Sequence, residues 1–152
     1  MFSNFEKVAP TFYGISLVPR KFWREYGLVL LNIAGSDGDI SGPELEWLTI
    51  SCAEAVGVEE AIVSEWKRYS FEKDNLENLF VSLNATSFVN FNKLLIYDAI
   101  RMAGADGDYA KAEKDRVYEA AKIMKAAPET VTAIEALIEL EQAAEKLRLT
   151  IF

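Results

Sequence analysis

One corner occurs twice in this chain: Ala34-Gly35-Ser36-Asp37-Gly38-Asp39-Ile40-Ser41-Gly42-Pro43-Glu44, and later Ala103-Gly104-Ala105-Asp106-Gly107-Asp108-Tyr109-Ala110-Lys111-Ala112-Glu113. The second copy follows the first by 69 residues, and Ala, Gly, Asp, Gly, Asp and Glu match at that single offset. Both stretches stand between apolar runs of helical period. A chain that uses one corner twice is constrained to repeat the supersecondary unit around it, here a helix, a tight acidic turn and a second helix.

The flanking pattern fills in that unit. From about Lys21 to Ala34, Phe22, Tyr26, Val29, Leu30 and Ile33 recur at helical spacing, with Gly27 either a weak point or a close-packing site. After the first turn, Ser41-Gly42-Pro43-Glu44 has the form of a capping box, and a second helix is expected from about Gly42 to Val56, stopped by Gly57. A third is expected over about Val58 to Tyr69, carrying Ile62 and Trp66, and a shorter one over about Asp74 to Leu83 with Asp74 as N-cap. Thr86 or Ser87 then caps a helix carrying Phe88, Phe91, Leu95, Ile96, Ala99, Ile100 and Met102 up to the second turn. Val117, Ala120, Ala121 and Met124 mark its partner, and Pro128 opens a last amphipathic helix over about Glu129 to Arg148. No stretch alternates with period two, so the fold class is all-α: a compact bundle of about seven helices. Its core is two pseudo-symmetric helix-turn-helix pairs joined by the Asp-Gly turns, each burying its apolar face against the other.

Composition narrows the chemistry. The 152 residues suit one domain, and with 24 acids against 16 bases the net charge is −8. No basic run is present, which speaks against a nucleic-acid partner or an anionic membrane surface. The chain has no histidine, so a Ser-His-Asp triad and histidine-bearing zinc sites are excluded, and its one cysteine, Cys52, lies in an apolar run as an expected buried thiol. The start is aromatic (Phe2, Phe5, Phe12, Tyr13) and broken by Pro10, Gly14 and Pro19. It reads as a strap over the bundle and not as a signal peptide, and with no apolar span of membrane length the expected location is the cytoplasm, without membrane insertion. Trp23, Trp47 and Trp66 read as core or edge anchors, and the glutamates of the last helix (Glu129, Glu135, Glu139, Glu141, Glu145) as a solvated face. Asp98, among Leu95, Ile96 and Ile100, is the exception, a carboxylate that needs a partner or a cation unless its face is solvent-exposed, which is the expected case.

Each acidic turn gathers three carboxylates. The order Asp-Gly-Asp, an apolar residue and then Glu is like the back half of an EF-hand loop. Counting back from Glu44 as the twelfth place puts the first and third ligand positions on Ile33 and Gly35, and from Glu113 on Met102 and Gly104, so an EF-hand is rejected. The remaining oxygen donors are Asp37, Asp39 and Glu44 in one turn and Asp106, Asp108 and Glu113 in the other. Oxygen-only donors suit calcium, magnesium or manganese, and no organic cofactor is implied. The same residues also serve a capped turn with no metal, because Asp-Gly is a common turn pair and a Glu at the third helical position closes a capping box. Ser41 is replaced by Ala110 in the second copy while both copies keep two aspartates and a glutamate, and this favours the cation reading.

These paired Asp-Gly-Asp turns, each followed by Glu44 or Glu113 and each closing one helix and opening the next, resemble the TerB family of tellurite-resistance proteins and its relatives, including the TerB-like region of DjlA-type co-chaperones. The resemblance covers about Lys21 to Lys125. It implies one TerB-like domain over residues 1–152, with a strap at 1–19, the doubled core at 20–125 and a C-terminal helix at 128–149. It further implies that Asp37, Asp39, Glu44, Asp106, Asp108 and Glu113 bind metal ions, and that the protein acts with other tellurium-resistance or stress-response proteins near the membrane. The aromatic N-terminus and the helix after Pro128 depart from the family pattern. The expected function is a non-enzymatic divalent-cation-binding module, ahead of a metal-independent interaction domain offering acids to a basic partner. A carboxylate hydrolase comes last, since the chain lacks a phosphate-binding Gly-rich loop.

Overall fold

Helix α1, Trp23–Ala34, extends a short 3-10 turn at Arg20–Phe22 and is buried on every side from Tyr26 to Leu31. A helix apolar all round belongs in the centre of a bundle. In the computed structural model, which describes residues 13–36, 38–70, 75–84, 91–105, 107 and 109–152, α1 packs against four other helices. Three consecutive segments, Gly42–Glu46, Trp47–Cys52 and Ala53–Val56, form helix α2, whose middle segment is a π-turn. Then come α3 (Glu60–Arg68), α4 (Leu76–Asn84), α5 (Phe91–Ala103), α6 (Lys111–Ile123) and α7 (Pro128–Ile151). The described residues contain no strand, and among them no helix is long and apolar enough to cross a membrane.

The second central element is α5, buried from Leu95 to Ile100, which packs on α1, α6 and α7. Thus the first helices of the two repeat units lie against each other, and α3, α4, α6 and α7 close around them. Gly27 is where the packing is tightest. A Cβ there would stand 2.1 Å from the indole of Trp66, whose Nε1 donates to the carbonyl of Arg24 at 3.1 Å. The glycine is therefore a close-packing site. Trp23 and Trp66 are buried, Trp47 is half-buried at the edge, and the Cys52 thiol is buried and pushed up by desolvation.

The helix limits follow local chemistry where they differ from the sequence reading. Asn75 accepts from the backbone N–H of Glu77 at 2.7 Å and begins α4, while Asp74, Thr86 and Ser87, the expected caps, lie outside the described residues. Gly57 ends α2 with φ of 85°, a left-handed value that suits glycine. Two glutamates of α7 are turned inward and are not part of a solvated face: Glu141 accepts from the Tyr97 hydroxyl at 2.5 Å, and Glu135 from that of Tyr118 at 2.9 Å.

Asp98 is also a correction, since it is 1% exposed. Its Oδ2 accepts from the backbone N–H of Ile15 and from the hydroxyl of Tyr26, both at 2.9 Å, and Arg101 approaches Oδ1 at 3.4 Å. These bonds clasp the 3-10 turn Gly14–Leu17 onto α5. Gly14 has φ of 74°, and a Cβ on it would lie 2.3 Å from the Asp98 carboxylate, so the turn approaches this closely because that residue has no side chain. A buried carboxylate thus holds the turn Gly14–Leu17 against α5, and residues 1–12 of the expected strap lie outside the described residues.

Burial outweighs Arg101 and the hydrogen bonds and pushes the Asp98 carboxyl up to about 6. In the unfolded chain an aspartate titrates near ~3.9. The folded state binds this proton more tightly, so the stability the group contributes is complete below about pH 4 and is lost as pH rises through about 6. Asp98→Asn removes the titration. The stability advantage of the native chain over that variant should shrink by roughly 2–3 kcal/mol between pH 4 and pH 7, as read by urea unfolding; an advantage that stays level with pH would overturn the assignment.

Candidate functional site

Backbone hydrogen bonds show that the two turns share one construction. Gly35, Ser36 and Gly38 donate to the carbonyls of Leu31, Ile33 and Gly35, and Gly104, Ala105 and Gly107 donate to those of Ile100, Met102 and Gly104, all between 2.9 and 3.2 Å. Every partner in the second set lies 69 residues after its counterpart. Gly38 and Gly107 have φ of 103° and 90°, and a Cβ on either would meet nothing within 4 Å. Glycine stands there for its backbone conformation and not for lack of space. Two residues later, Ile40 and Tyr109 fold back onto the core and fix each turn to the bundle.

Both turns reach the same end of the molecule. The last residues of α1 (Ile33, Ala34) and of α5 (Met102, Ala103) wall one small void of about 10 Å³, close to the smallest space that holds a water. Glu44 and Glu113 stand over it, with Arg116 between them. Arg116 Nη2 lies 4.0 Å from Glu44 Oε2 and 3.8 Å from Glu113 Oε1, while Nη1 donates to the carbonyl of Ala34. One guanidinium therefore touches an acid from each turn and the last carbonyl of α1. The two carboxylates fall within roughly one Debye length of each other.

The two glutamates are not equivalent. Glu44 is buried and closes the capping box: its Oε1 accepts from Ser41 N–H at 3.0 Å, and its own N–H donates to Ser41 Oγ at 3.2 Å. Glu113 sits at the matching place in α6, but the N-cap there is Ala110, which offers no side-chain acceptor. Its Oε2 is buried and accepts no hydrogen bond among the described residues. Asp39 is exposed at the mouth of the first turn. Asp37, Asp106 and Asp108 lie outside the described residues, and among those described no three acids or thiols form a group able to hold a metal.

Sequence reasoning missed Arg116, although it stands one turn after Glu113 on the face that carries Val117 and Ala120, where a charged side chain needs a partner. It also missed a polar cluster beyond Glu113. Glu135 of α7 receives the Tyr118 hydroxyl, lies 4.0 Å from Lys114 Nζ, and with burial pushes the Tyr109 phenol up. This cluster pins the start of α6 to α7. Nothing in the spacing of residues so far apart indicates that they meet.

No family model and no curated protein matches the chain. A solved structure does: the crystal structure at 1.85 Å resolution of a tellurite resistance protein from Nostoc punctiforme is 25% identical, and the match covers 88% of this chain and 82% of that one with a TM-score of 0.76.

The unequal caps give a test. Ala110→Ser supplies the missing acceptor three residues before Glu113 and should raise the unfolding free energy by about 1 kcal/mol, whereas Ser41→Ala should lower it by about the same amount. Urea unfolding at neutral pH measures both, and a serine at 110 that stabilises nothing would mean that the second turn does not use the geometry of the first.

Proposed function

The chain has the TerB-like fold, and from that premise we propose that it is a non-enzymatic module of a tellurite-resistance or stress-response system whose two acidic turns together take a divalent cation. The observation that carries this reading is the convergence of Glu44 and Glu113 on Arg116. One glutamate from each half-site, Glu44 and Glu113, reaches the same end of the bundle.

The donor set fits a hard cation. It is all oxygen, as calcium, magnesium and manganese prefer, and the buried Glu113 Oε2 has no hydrogen-bond donor among the described residues. The residues that would hold the ion are Asp37, Asp39, Glu44, Asp106, Asp108 and Glu113. Glu44 is the inner member, since its Oε1 is already engaged by Ser41. Arg116 supplies positive charge to the same two glutamates and so competes with the ion. Bound, the cation would neutralise the acids and tie the two repeat units together. In this reading the protein works in the cytoplasm with other proteins of the resistance or stress system, at the membrane face but without insertion, and catalyses no reaction. The second reading is an acidic surface that meets a basic partner without metal.

Thermal unfolding separates the two. Calcium, magnesium or manganese should raise the melting temperature, with stabilisation of roughly 2.7 kcal/mol at a hundredfold excess over the dissociation constant. Asp37→Asn with Asp106→Asn should abolish the shift. Arg116→Gln should cost about 1–3 kcal/mol in EDTA, because it removes the guanidinium beside the buried Glu44 carboxylate and the buried Oε2 side of Glu113, and should enlarge the response to the cation. A shift that survives the double aspartate variant sinks the proposal. Partner binding that EDTA leaves intact and salt weakens would support the second reading.

A further inference from the structure

Helix α7 carries a second apolar stripe that its own fold does not use. Its inner face is set by Val131 and Ile138, which are buried, with Ile134 packed beside them. Leu137, Leu140, Ala144, Leu147 and Ile151 follow one another in alternating steps of three and four residues, on a different side of the helix. This is the a and d pattern of a coiled-coil seam. Leu140, Leu147 and Ile151 are 69%, 59% and 62% exposed, and every residue from Gln142 onward is exposed.

We infer that this stripe pairs with the same stripe of a second copy of the chain, the two helices running antiparallel. The charges beside the seam set the direction. With Leu137, Ala144 and Ile151 as a positions and Leu140 and Leu147 as d positions, one flank (e) carries Glu141 and Arg148 and the other (g) carries Ala136, Ala143 and Thr150. In a parallel pair e faces g, and neither charge meets an opposite one. In an antiparallel pair e faces e: the register that stacks Ala144 on Leu147 and Leu140 on Ile151 of the second copy also sets Glu141 against its Arg148, twice by symmetry. The g flanks then meet as small side chains, which permits close approach of the helices. Tyr97 holds Glu141 at 2.5 Å on the flank where the pair forms. Four seam layers make a short interface, so the dimer is weak and reversible.

Sedimentation equilibrium at low salt over a wide concentration range tests this. The mass should rise from 17.0 kDa toward twice that value. Leu140→Lys with Leu147→Lys should hold the chain at the monomer mass. Arg148→Glu, an exposed position outside the core, should weaken the dimer about tenfold by setting like charges opposite each other, and adding Glu141→Arg should restore it by exchanging the pair. Circular dichroism of each variant confirms that the fold is kept. A native chain that stays monomeric at the highest concentration overturns the inference, as does a dimer indifferent to Arg148→Glu or a double reversal that fails to restore it.

Discussion

Two helices, α1 and α5, end side by side, and both of those ends are the negative poles of their dipoles. Each is followed by an acidic turn, and a glutamate from beyond each turn comes back over the same small void. Left alone, this arrangement would concentrate negative charge at a partly buried end of the bundle. Arg116 relieves it by binding the final carbonyl of α1 and standing within 4.0 Å of both glutamates. Its contacts are also what join the two repeat units at that end, since Arg116 and Glu113 come from the second while Glu44 and Ala34 come from the first. The residue at the place of Arg116 in the first unit is Trp47, which carries no charge and instead lies under the guanidinium of Arg101 at 5.2 Å. Both arginines belong to the second unit, and each reaches across to a residue of the first, Arg116 to Glu44 and Arg101 to Trp47.

The duplication is strictest in the backbone. The hydrogen bonds of the two turns correspond one for one, and the glycines with positive φ occupy matching places. Side chains diverge as soon as they leave the turn. Ser41 and Ala110 differ in whether they can cap, and Ile40 and Tyr109 fill the same position against the core with very different bulk. Symmetry here is a property of the corner and of the pair of helices it joins, while the surroundings of each corner have specialised.

What was legible in the sequence was the part governed by local rules. Helical spacing placed α1, α5, α6 and α7, the Ser-Gly-Pro-Glu run placed the capping box, and the repeat offset announced the shared turn. The misreadings all involve side chains whose partners are remote in the chain. Asp98 among apolar neighbours read as an exposed carboxylate because Ile15 and Tyr26, its partners, lie 83 and 72 residues away. Glu135 and Glu141 read as solvated because the tyrosines that turn them inward are on α6 and α5. Arg116 was invisible for the same reason, its contacts with Ala34 and Glu44 being made across the duplication. The backbone form of the corner was readable, and the arginine set against its glutamates was not.

The unequal caps carry a consequence for how the molecule opens. The first turn is locked from within, by two reciprocal hydrogen bonds between Ser41 and Glu44 that persist as long as that one turn of helix exists. The second has no such side-chain lock among the described residues, and there Glu113 meets Arg116 while Tyr109 docks on the core. Parts of one fold open as separate units with different free energies. The amide protons at the start of α6 should therefore exchange with solvent more readily than those at the start of α2, so that two corners of one backbone design open unequally.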